Sequence, residues 1–246
     1  MSEYEPIHEA ARHADVATLR RLLEDGVSPD ALCPNSMTDC RKTALHLLCR
    51  PNVDNVINEG DRVACFELLR DAGANLEART GGDPQGSTVL HYAANSGSPE
   101  LLSLLLEAGV NVNVVNFNGY TPLHWAARGD LGVRRSTECV ELLLKAGAAV
   151  NAKITSGGPL FLGATPFDVA LRKGTLRRMW PLFLRAGADI PTNNTDPYIV
   201  RVRNAGGFKK YEQAHLSRIT AILETPLLPP ELVRKILEFW LHAGYY

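Results

Sequence analysis

Hydrophobic and polar residues follow a pattern that recurs five times along this chain, as a short helix-opening phrase and then a leucine-rich helix. The opening phrases read PIHEAARHAD, TALHLLCRPN, TVLHYAANSG, TPLHWAARGD and TPFDVALRKG. The helices that follow them read LRRLLEDGV, CFELLRDAGA, LLSLLLEAGV, CVELLLKAGA and MWPLFLRAGA. One such pair has too little apolar surface to fold alone, so neighbouring pairs must stack and bury it jointly. The pattern therefore predicts a solenoid of helix pairs.

The phrases also contain the local signals that begin and end helices. Threonine opens four of the five phrases and is suited to cap a helix, while Pro122 and Pro166 fit the first turn, where no N–H is needed. Each second helix stops at a glycine, which adopts a left-handed backbone at little cost; these are Gly26, Gly73, Gly109, Gly147 and Gly187. One slot of the phrase recurs as His8, His46, His91 and His124. That regularity favours structural hydrogen bonding over catalysis.

These phrases resemble the ankyrin-repeat family, whose repeat spans about 33 residues and has a TPLHxA-type signature. The resemblance covers roughly residues 5–193, and the run from Thr121 to His124 matches the signature letter for letter. It implies an all-α ankyrin-repeat solenoid of about five repeats. In that fold a β-hairpin finger links each closing glycine to the next phrase, and the fingers and first helices line a concave groove. We expect a repeat array over residues 1–195 and a helical tail over residues 196–246.

Composition narrows the class of function. Among the 246 residues, 26 lysines and arginines nearly balance 27 aspartates and glutamates, for a formal charge of −1. This balance gives no support for nucleic-acid binding, and the N-terminal residues lack the apolar stretch of a secretory signal. The five cysteines are odd in number and scattered, as expected of reduced thiols. We expect a monomer in the cytoplasm or nucleus that binds proteins and not membranes.

Two repeats contain extra residues between their helices. The second repeat contains VDNVINEGD near residues 53–61, and the fourth contains GDLGVRR near residues 129–135. All fingers except the third are also enlarged, with the Gly, Pro, Ser and Asn that are typical of loops. Loops on a rigid scaffold often determine binding specificity. Neutral drift in length is the alternative, since doubling a loop costs only about 0.6 kcal/mol.

The first helices predict a basic stripe along the groove. The residue after the pair of small residues in each phrase should point into the groove; these positions hold Arg12, Arg50, Asn95, Arg128 and Arg172, with Lys173 beside the last. Guanidinium groups bind carboxylates and phosphates through two parallel hydrogen bonds. The stripe therefore predicts an acidic or phosphorylated partner. The structural alternative is that an arginine near a helix C-terminus complements the helix dipole and covers apolar surface.

The third finger adds aromatic side chains to this candidate surface. The resemblance places three of its residues at the tip and base of a hairpin: Phe117, Asn118 and Tyr120. Exposed aromatic residues beside arginine are typical of interface hot spots, and Phe161 and Leu162 in the fourth finger extend the patch. Packing between fingers is the alternative role. We expect Tyr92 and Trp125, which lie inside the phrases, to be core residues.

One group of side chains is a candidate for reactive chemistry. Three thiols and an imidazole lie within a short stretch and could in principle suit zinc; they are Cys33, Cys40, His46 and Cys49. Their spacing matches no known zinc module, and His46 already belongs to the repeated phrase. No phosphate-binding loop, nucleophile elbow or HExxH motif is present. We therefore expect no metal, no cofactor and no enzymatic activity.

From residue 196 onward the repeat pattern ends. Helices are predicted from Lys209 to Glu224 and from Glu231 to His242, separated by TPLLPP, whose prolines cannot continue a helix. The simplest role for this tail is to cap the exposed end of the stack. The tail is also similar to the opening helix of an F-box and, in its order of helix, Leu-Pro turn and helix, to a SOCS box. That resemblance implies a surface for a cullin-type ligase adaptor, formed by Leu228, Pro229, Leu232, Ile236, Leu237 and Trp240.

Overall fold

Short helices separated by turns make up the computed structural model, which describes residues 5–33, 41–50, 57–81, 86–128, 133–156, 161–172, 174–223, 229, 231–233 and 235. The helices of the repeats are α1 (Pro6–His13), α2 (Val16–Glu24), α3 (Ala44–Leu48), α4 (Glu59–Asp71), α5 (Val89–Ser96), α6 (Pro99–Glu107), α7 (Pro122–Ala126), α8 (Val133–Lys145), α9 (Pro166–Arg172) and α10 (Trp180–Arg185). A 3-10 helix over Gly174–Met179 precedes α10, and α11 (Pro197–Asn204) and α12 (Phe208–Leu223) follow it. Within these ranges, no helix has both the length and the hydropathy that crossing a lipid bilayer requires.

The helices of successive repeats stack in two rows. The first helices contact one another in the order α1, α3, α5, α7 and α9, and the second helices in the order α2, α4, α6 and α8. Within the first four repeats, each first helix also contacts its own second helix. This arrangement buries the leucine-rich faces that one helix pair could not bury alone. The predicted all-α solenoid of stacked helix pairs is therefore confirmed.

Both small and large side chains pack between neighbouring first helices. The paired alanines of the phrases are almost fully buried, among them Ala93, Ala94, Ala126 and Ala127. Their small size lets neighbouring helices approach closely. Tyr92 and Trp125 are also buried, with ring centroids 5.6 Å apart, so both are core residues as predicted.

The chain divides into two compact units, Met1–Thr175 and Leu176–Tyr246. The division falls inside the fifth repeat, so α9 belongs to the first unit and α10 to the second. The end of the repeat array at residue 195, as expected from the sequence, stays a prediction.

Within the second unit, α12 contacts both α10 and α11. Helix α12 corresponds to the helix predicted from Lys209 to Glu224, displaced by a single residue. The sequence pattern did not indicate α11, which follows the N-cap Asp196 and buries Tyr198, Ile199 and Val202. Of the second predicted tail helix, only residues 231–233 and 235 lie within the described part of the chain.

Three of the first helices begin with the same reciprocal cap. A threonine hydroxyl lies beside Nδ1 of the histidine three residues later, and the threonine N–H donates to that nitrogen. The Oγ1 to Nδ1 distances are 2.9 Å for Thr43 and His46, 3.0 Å for Thr88 and His91, and 2.8 Å for Thr121 and His124. In the fifth repeat the Asp168 carboxylate takes this place and accepts from both the N–H and the hydroxyl of Thr165, each at 2.9 Å.

The opposite nitrogen of the histidine ring links one repeat to the following finger. Nε2 lies 2.9 Å from the Ala31 carbonyl for His8, 2.9 Å from the Tyr120 carbonyl for His91, and 3.2 Å from the Ala164 carbonyl for His124. Burial lowers the pKa to about 4 for His46, His91 and His124. These rings are therefore neutral at pH 7 and serve as structural hydrogen-bonding groups, as the recurring slot predicted.

Candidate partner-binding surface

The predicted basic stripe lies at the C-terminal ends of the first helices. Arg12 is in the last turn of α1, Arg172 is the last residue of α9, and Arg50 and Arg128 follow the ends of α3 and α7. Arg12, Arg128 and Arg172 are exposed, whereas Arg50 is half-buried. Asn95, in the last turn of α5, is half-buried as well. Lys173 lies outside the described residues.

The fourth finger holds an exposed apolar patch in contact with the stripe. The Arg172 guanidinium carbon lies 4.9 Å from the centre of the Phe161 ring, within the range of a cation–π interaction. Phe161 is 37% exposed and its neighbour Leu162 is 61% exposed. A cation therefore lies directly on an apolar surface that solvent can reach.

The third finger is partly exposed and partly engaged with its neighbours. Phe117 is 64% exposed, yet one side of its ring lies against Gly86 of the second finger, where an added Cβ would come within 2.8 Å of it. The Asn118 carbonyl accepts from the N–H groups of Thr155 and Ser156 in the fourth finger, each at 3.1 Å. Asn118 thus takes part in finger-to-finger packing, the alternative that the sequence left open, while most of Phe117 stays accessible.

Carboxylate and amide side chains hold successive fingers together. In the first three repeats the acceptor lies four residues after the closing glycine: Asp30 accepts from the Asn75 N–H at 2.9 Å, Glu77 from the Asn111 N–H at 3.1 Å, and Asn113 from the Ala149 N–H at 2.7 Å. β pairing in the described finger residues is limited to one antiparallel bridge, between Arg79 and Thr88. The fingers' acidic groups are thus committed to the scaffold at these positions.

A buried charged cluster that the sequence analysis missed joins three repeats. Arg62 is 1% exposed, and its guanidinium donates to the carbonyls of Leu48 at 2.8 Å and Arg50 at 3.1 Å. The Glu59 carboxylate lies 3.2 Å from Arg62, accepts from the Ser98 hydroxyl, and is 3.7 Å from Arg135. The i,i+3 spacing of Glu59 and Arg62 was a signal in the sequence, but it falls where an inserted loop was expected.

The possible zinc ligands do not form a described metal site. Cys33, His46 and Cys49 are all buried, and Cys40 lies outside the described residues. Among the residues with described positions, no group of three or more His, Cys, Asp or Glu side chains is arranged to hold a metal ion. Burial also raises the pKa of the Cys49 thiol to about 12, which opposes the thiolate that zinc requires.

Little of the candidate adaptor surface is described. Pro229 is exposed and Leu232 is 48% exposed, whereas the adjacent Val233 is buried. The remaining predicted residues lie outside the described part of the chain: Leu228, Ile236, Leu237 and Trp240.

The stacked helix pairs, the Thr-His caps and the linked fingers define an all-α ankyrin-repeat solenoid. Residues 55–155 match the family model described as ankyrin repeats, in three copies. This chain therefore contains ankyrin repeats, which are modules for protein–protein interaction.

The proteins to which this chain is similar differ widely in length and in name. The chain is 32% identical to the B-cell lymphoma 3 protein homolog of Mus musculus, over 77% of this chain and 37% of that protein. It is 31% identical to E3 ubiquitin-protein ligase KEG of Arabidopsis thaliana, over 63% of this chain and 9% of that protein. It is also 35% identical to human Ankyrin repeat and SOCS box protein 16, over 45% of this chain and 21% of that protein. The matches thus span well under half the length of each of these relatives.

Proposed function

We propose that this chain is a non-enzymatic scaffold that binds an acidic or phosphorylated segment of a protein partner along its fingers and first-helix ends. The surface would comprise Arg12, Arg50, Asn95, Phe117, Asn118, Tyr120, Arg128, Arg172 and Lys173. The observation that supports this most directly is the Arg172 guanidinium over the exposed ring of Phe161, beside Leu162. A segment with acidic and apolar side chains would satisfy both kinds of surface at once.

The distribution of charge favours an acidic partner over a basic one. Arginine lies in the last turn or within two residues of the C-terminal end of four of the five first helices, so cations recur at one position of the stack. In the fingers, the carboxylates of Asp30 and Glu77 accept backbone hydrogen bonds from the next finger. A field of one sign over a groove speeds association with ligands of the opposite sign and disfavours others.

Charge reversal at the stripe tests this proposal. The full-length chain is used to capture partners from native lysate, and the affinity for a purified captured partner is then measured by titration. We expect Arg50→Glu combined with Arg128→Glu to weaken that affinity by about 100-fold or more, because two attractive contacts become repulsive.

A matched control reverses two arginines on second helices, Arg20→Glu with Arg70→Glu. Both residues are exposed, and the change in net charge is the same. The control should bind like the unmodified chain, and melting curves establish that both variants fold. An unchanged dissociation constant for the Arg50 and Arg128 variant would exclude an acidic ligand at this stripe.

A second candidate function is that of a substrate receptor for a cullin-type ubiquitin ligase, with the tail recruiting the adaptor. Two relatives support this candidate, since one is named for a SOCS box and another for ligase activity. In the tail itself, Leu232 is 48% exposed. The exposed Leu232 supports a docking role, in contrast to the neighbouring Val233, which is buried.

The exposed leucine separates an adaptor surface from a cap. Leu232→Asp should abolish a pull-down of purified cullin adaptors without lowering the melting temperature, since Leu232 contributes little to the core. Val233→Asp serves as the control, because charge at a buried position should lower the melting temperature. If Leu232→Asp leaves adaptor capture intact, the receptor function is rejected.

A further inference from the structure

The second unit contains an open pocket that the function proposed above does not use. It has a volume of about 540 Å³ and lies between α11 and α12, within the usual size range of small-ligand sites. The lining residues are Arg201, Asn204, Ala205, Tyr211, Ala214, His215 and Arg218. Two guanidinium groups, an imidazole, a phenol and an amide thus converge on one cavity.

The aromatic wall of this pocket is ordered by packing. The rings of Tyr211 and His215 are stacked, with centroids 5.9 Å apart and planes 10° from parallel. The Tyr211 ring also meets the buried Tyr198 edge-on, at 5.7 Å, and lies 6.5 Å from the ring of Phe208. Tyr211 thus packs against Tyr198 of α11 and stacks on His215, and both stacked rings line the pocket.

The charges around the pocket are predominantly positive. The carboxylate of Glu212, on α12, is bound by Arg185 of α10 at 2.8 Å, and that of Asp196, before α11, is bound by Arg177. Arg203 of α11 donates to the Pro191 carbonyl at 3.0 Å. Within the described part of this unit, no carboxylate pairs with Arg201 or Arg218. Burial, followed by the charges of Arg218 and Arg201, lowers the pKa of His215, and all three residues line the same pocket.

We propose that this pocket binds a phosphate monoester. Arg201 and Arg218 would donate to the phosphoryl oxygens, and the Tyr211 and His215 rings would pack against the group that the phosphate is attached to. Guanidinium groups match the geometry and charge of a phosphate, which carries about −1.5 to −2 at pH 7. The proposal is independent of the groove, because every lining residue lies in the second unit.

His215 supplies a readout located in the pocket itself. The imidazole titrations of the full-length chain are followed by NMR in chloride, inorganic phosphate, phenyl phosphate and acetate at equal ionic strength. An anion in the pocket offsets the repulsion from the two arginines, so phosphate should raise the pKa of His215 by about half a unit or more. Phenyl phosphate should bind more tightly than inorganic phosphate because its ring adds contact with the aromatic wall, and acetate should have less effect.

Two variants and one internal control complete the experiment. Arg201→Gln with Arg218→Gln should weaken phenyl phosphate binding at least ~10-fold by calorimetry and should remove the effect of phosphate on His215. Lys209→Gln with Lys210→Gln removes the same charge from exposed positions outside the pocket lining and should change neither result. His13, exposed on α1 beside Glu9, reports general salt effects.

The possible results are distinct. A His215 titration that is the same in phosphate and chloride would overturn the proposal, as would an equal response in the Arg201 and Arg218 variant or at His13. An acetate effect as large as that of phosphate would overturn the assignment to phosphate. Loss of groove binding in the Arg50 and Arg128 variant bears only on the scaffold function, so the two proposals can fail separately.

Discussion

The second and third repeats begin alike and are completed in different ways. Both open with a Thr-His cap, formed by Thr43 with His46 and by Thr88 with His91. In the third repeat, Gly97 ends α5 in a left-handed conformation at φ 60° and Ser98 caps α6 at once. In the second repeat, α3 ends at Leu48 and α4 begins only at Glu59.

The two repeats differ in how the carbonyl groups at the end of the first helix, α3 or α5, are satisfied. In the second repeat, the carbonyls of Leu48 and Arg50 are satisfied by the buried guanidinium of Arg62, whose charge is balanced by Glu59. The third repeat uses a local glycine turn and an N-cap instead. In the second repeat, which has extra residues between its helices, a long side chain from the second helix thus satisfies carbonyls at the end of the first. This arrangement means that much of the second repeat's stability depends on one buried residue.

The largest effect should come from removing that residue. Arg62→Met keeps most of the volume but removes the donor to the Leu48 and Arg50 carbonyls. It also takes the close cation from the Glu59 carboxylate, which keeps the Ser98 hydroxyl and the more distant Arg135, so we expect a loss of about 3–5 kcal/mol. Urea unfolding measures the loss, and hydrogen exchange should show opening confined first to α3 and α4. Arg20→Met on the exposed face of α2 is the control and should change stability by no more than about 0.5 kcal/mol. A loss below about 1 kcal/mol for Arg62→Met would show that the insertion is held in some other way.

Lowering the pH should weaken the Thr-His caps that the two repeats share. His46 and His91 have a pKa of about 4 in the fold, against 6.5 when unperturbed, so each stabilises the fold above pH 6.5. That contribution is lost as the pH falls from 6.5 towards 4, at a cost on the order of 3 kcal/mol for each ring. Urea midpoints measured between pH 7 and pH 4 test this, and His91→Asn should flatten the dependence. His13→Asn, at an exposed site, should leave the slope unchanged, and a flat profile in the unmodified chain would contradict the prediction.

Two glycines should respond with opposite signs. Gly97→Ala forces a left-handed alanine, with Cβ 3.3 Å from Cβ of Arg135, and should destabilise the third repeat by about 1–2 kcal/mol. Gly60→Ala lies in the helical first turn of α4, where the nearest atom is 3.5 Å away, and should stabilise the second repeat by roughly 0.5–1 kcal/mol. The free energies of unfolding are compared directly, and effects of the same sign would be inconsistent with these backbone roles.

The smallest effect should come from the outer edge of the charged cluster. Arg135 is 49% exposed and lies 3.7 Å from Glu59, so Arg135→Ala should cost less than about 1 kcal/mol. High salt should reduce that small difference further, because exposed pairs are screened. A cost equal to that of Arg62→Met would mean that Glu59 depends on the fourth repeat as much as on its own helix.

The elements predicted from sequence were those specified by short-range patterns. Thr88 and His91 lie three residues apart, so a local helix turn is enough to bring them together, and the recurrence of the pair identified its structural role. Helix α12 was predicted for the same reason, since its apolar stripe is periodic. Helix α11 was missed because its buried residues Tyr198, Ile199 and Val202 lie among arginines, which hide the apolar periodicity.

The candidate surfaces were less predictable. The sequence placed arginines at the ends of the first helices, but only the structure revealed that Arg172 lies over Phe161 and that Asn118 binds the fourth finger. Arg201 and Arg218 are far apart in sequence and belong to no repeated phrase. Their convergence depends on how α11 packs against α12, which neither helix specifies by itself.

The sequence alone determined the repeating unit of this protein, because helix caps, closing glycines and leucine stripes act over a few residues and recur in order. Tertiary structure decided the burial of Arg62, the sharing of Glu59 among three repeats and the pocket between α11 and α12. The physical reason is one of range. Helix formation responds to neighbours along the chain, whereas desolvation and charge pairing respond to neighbours in space.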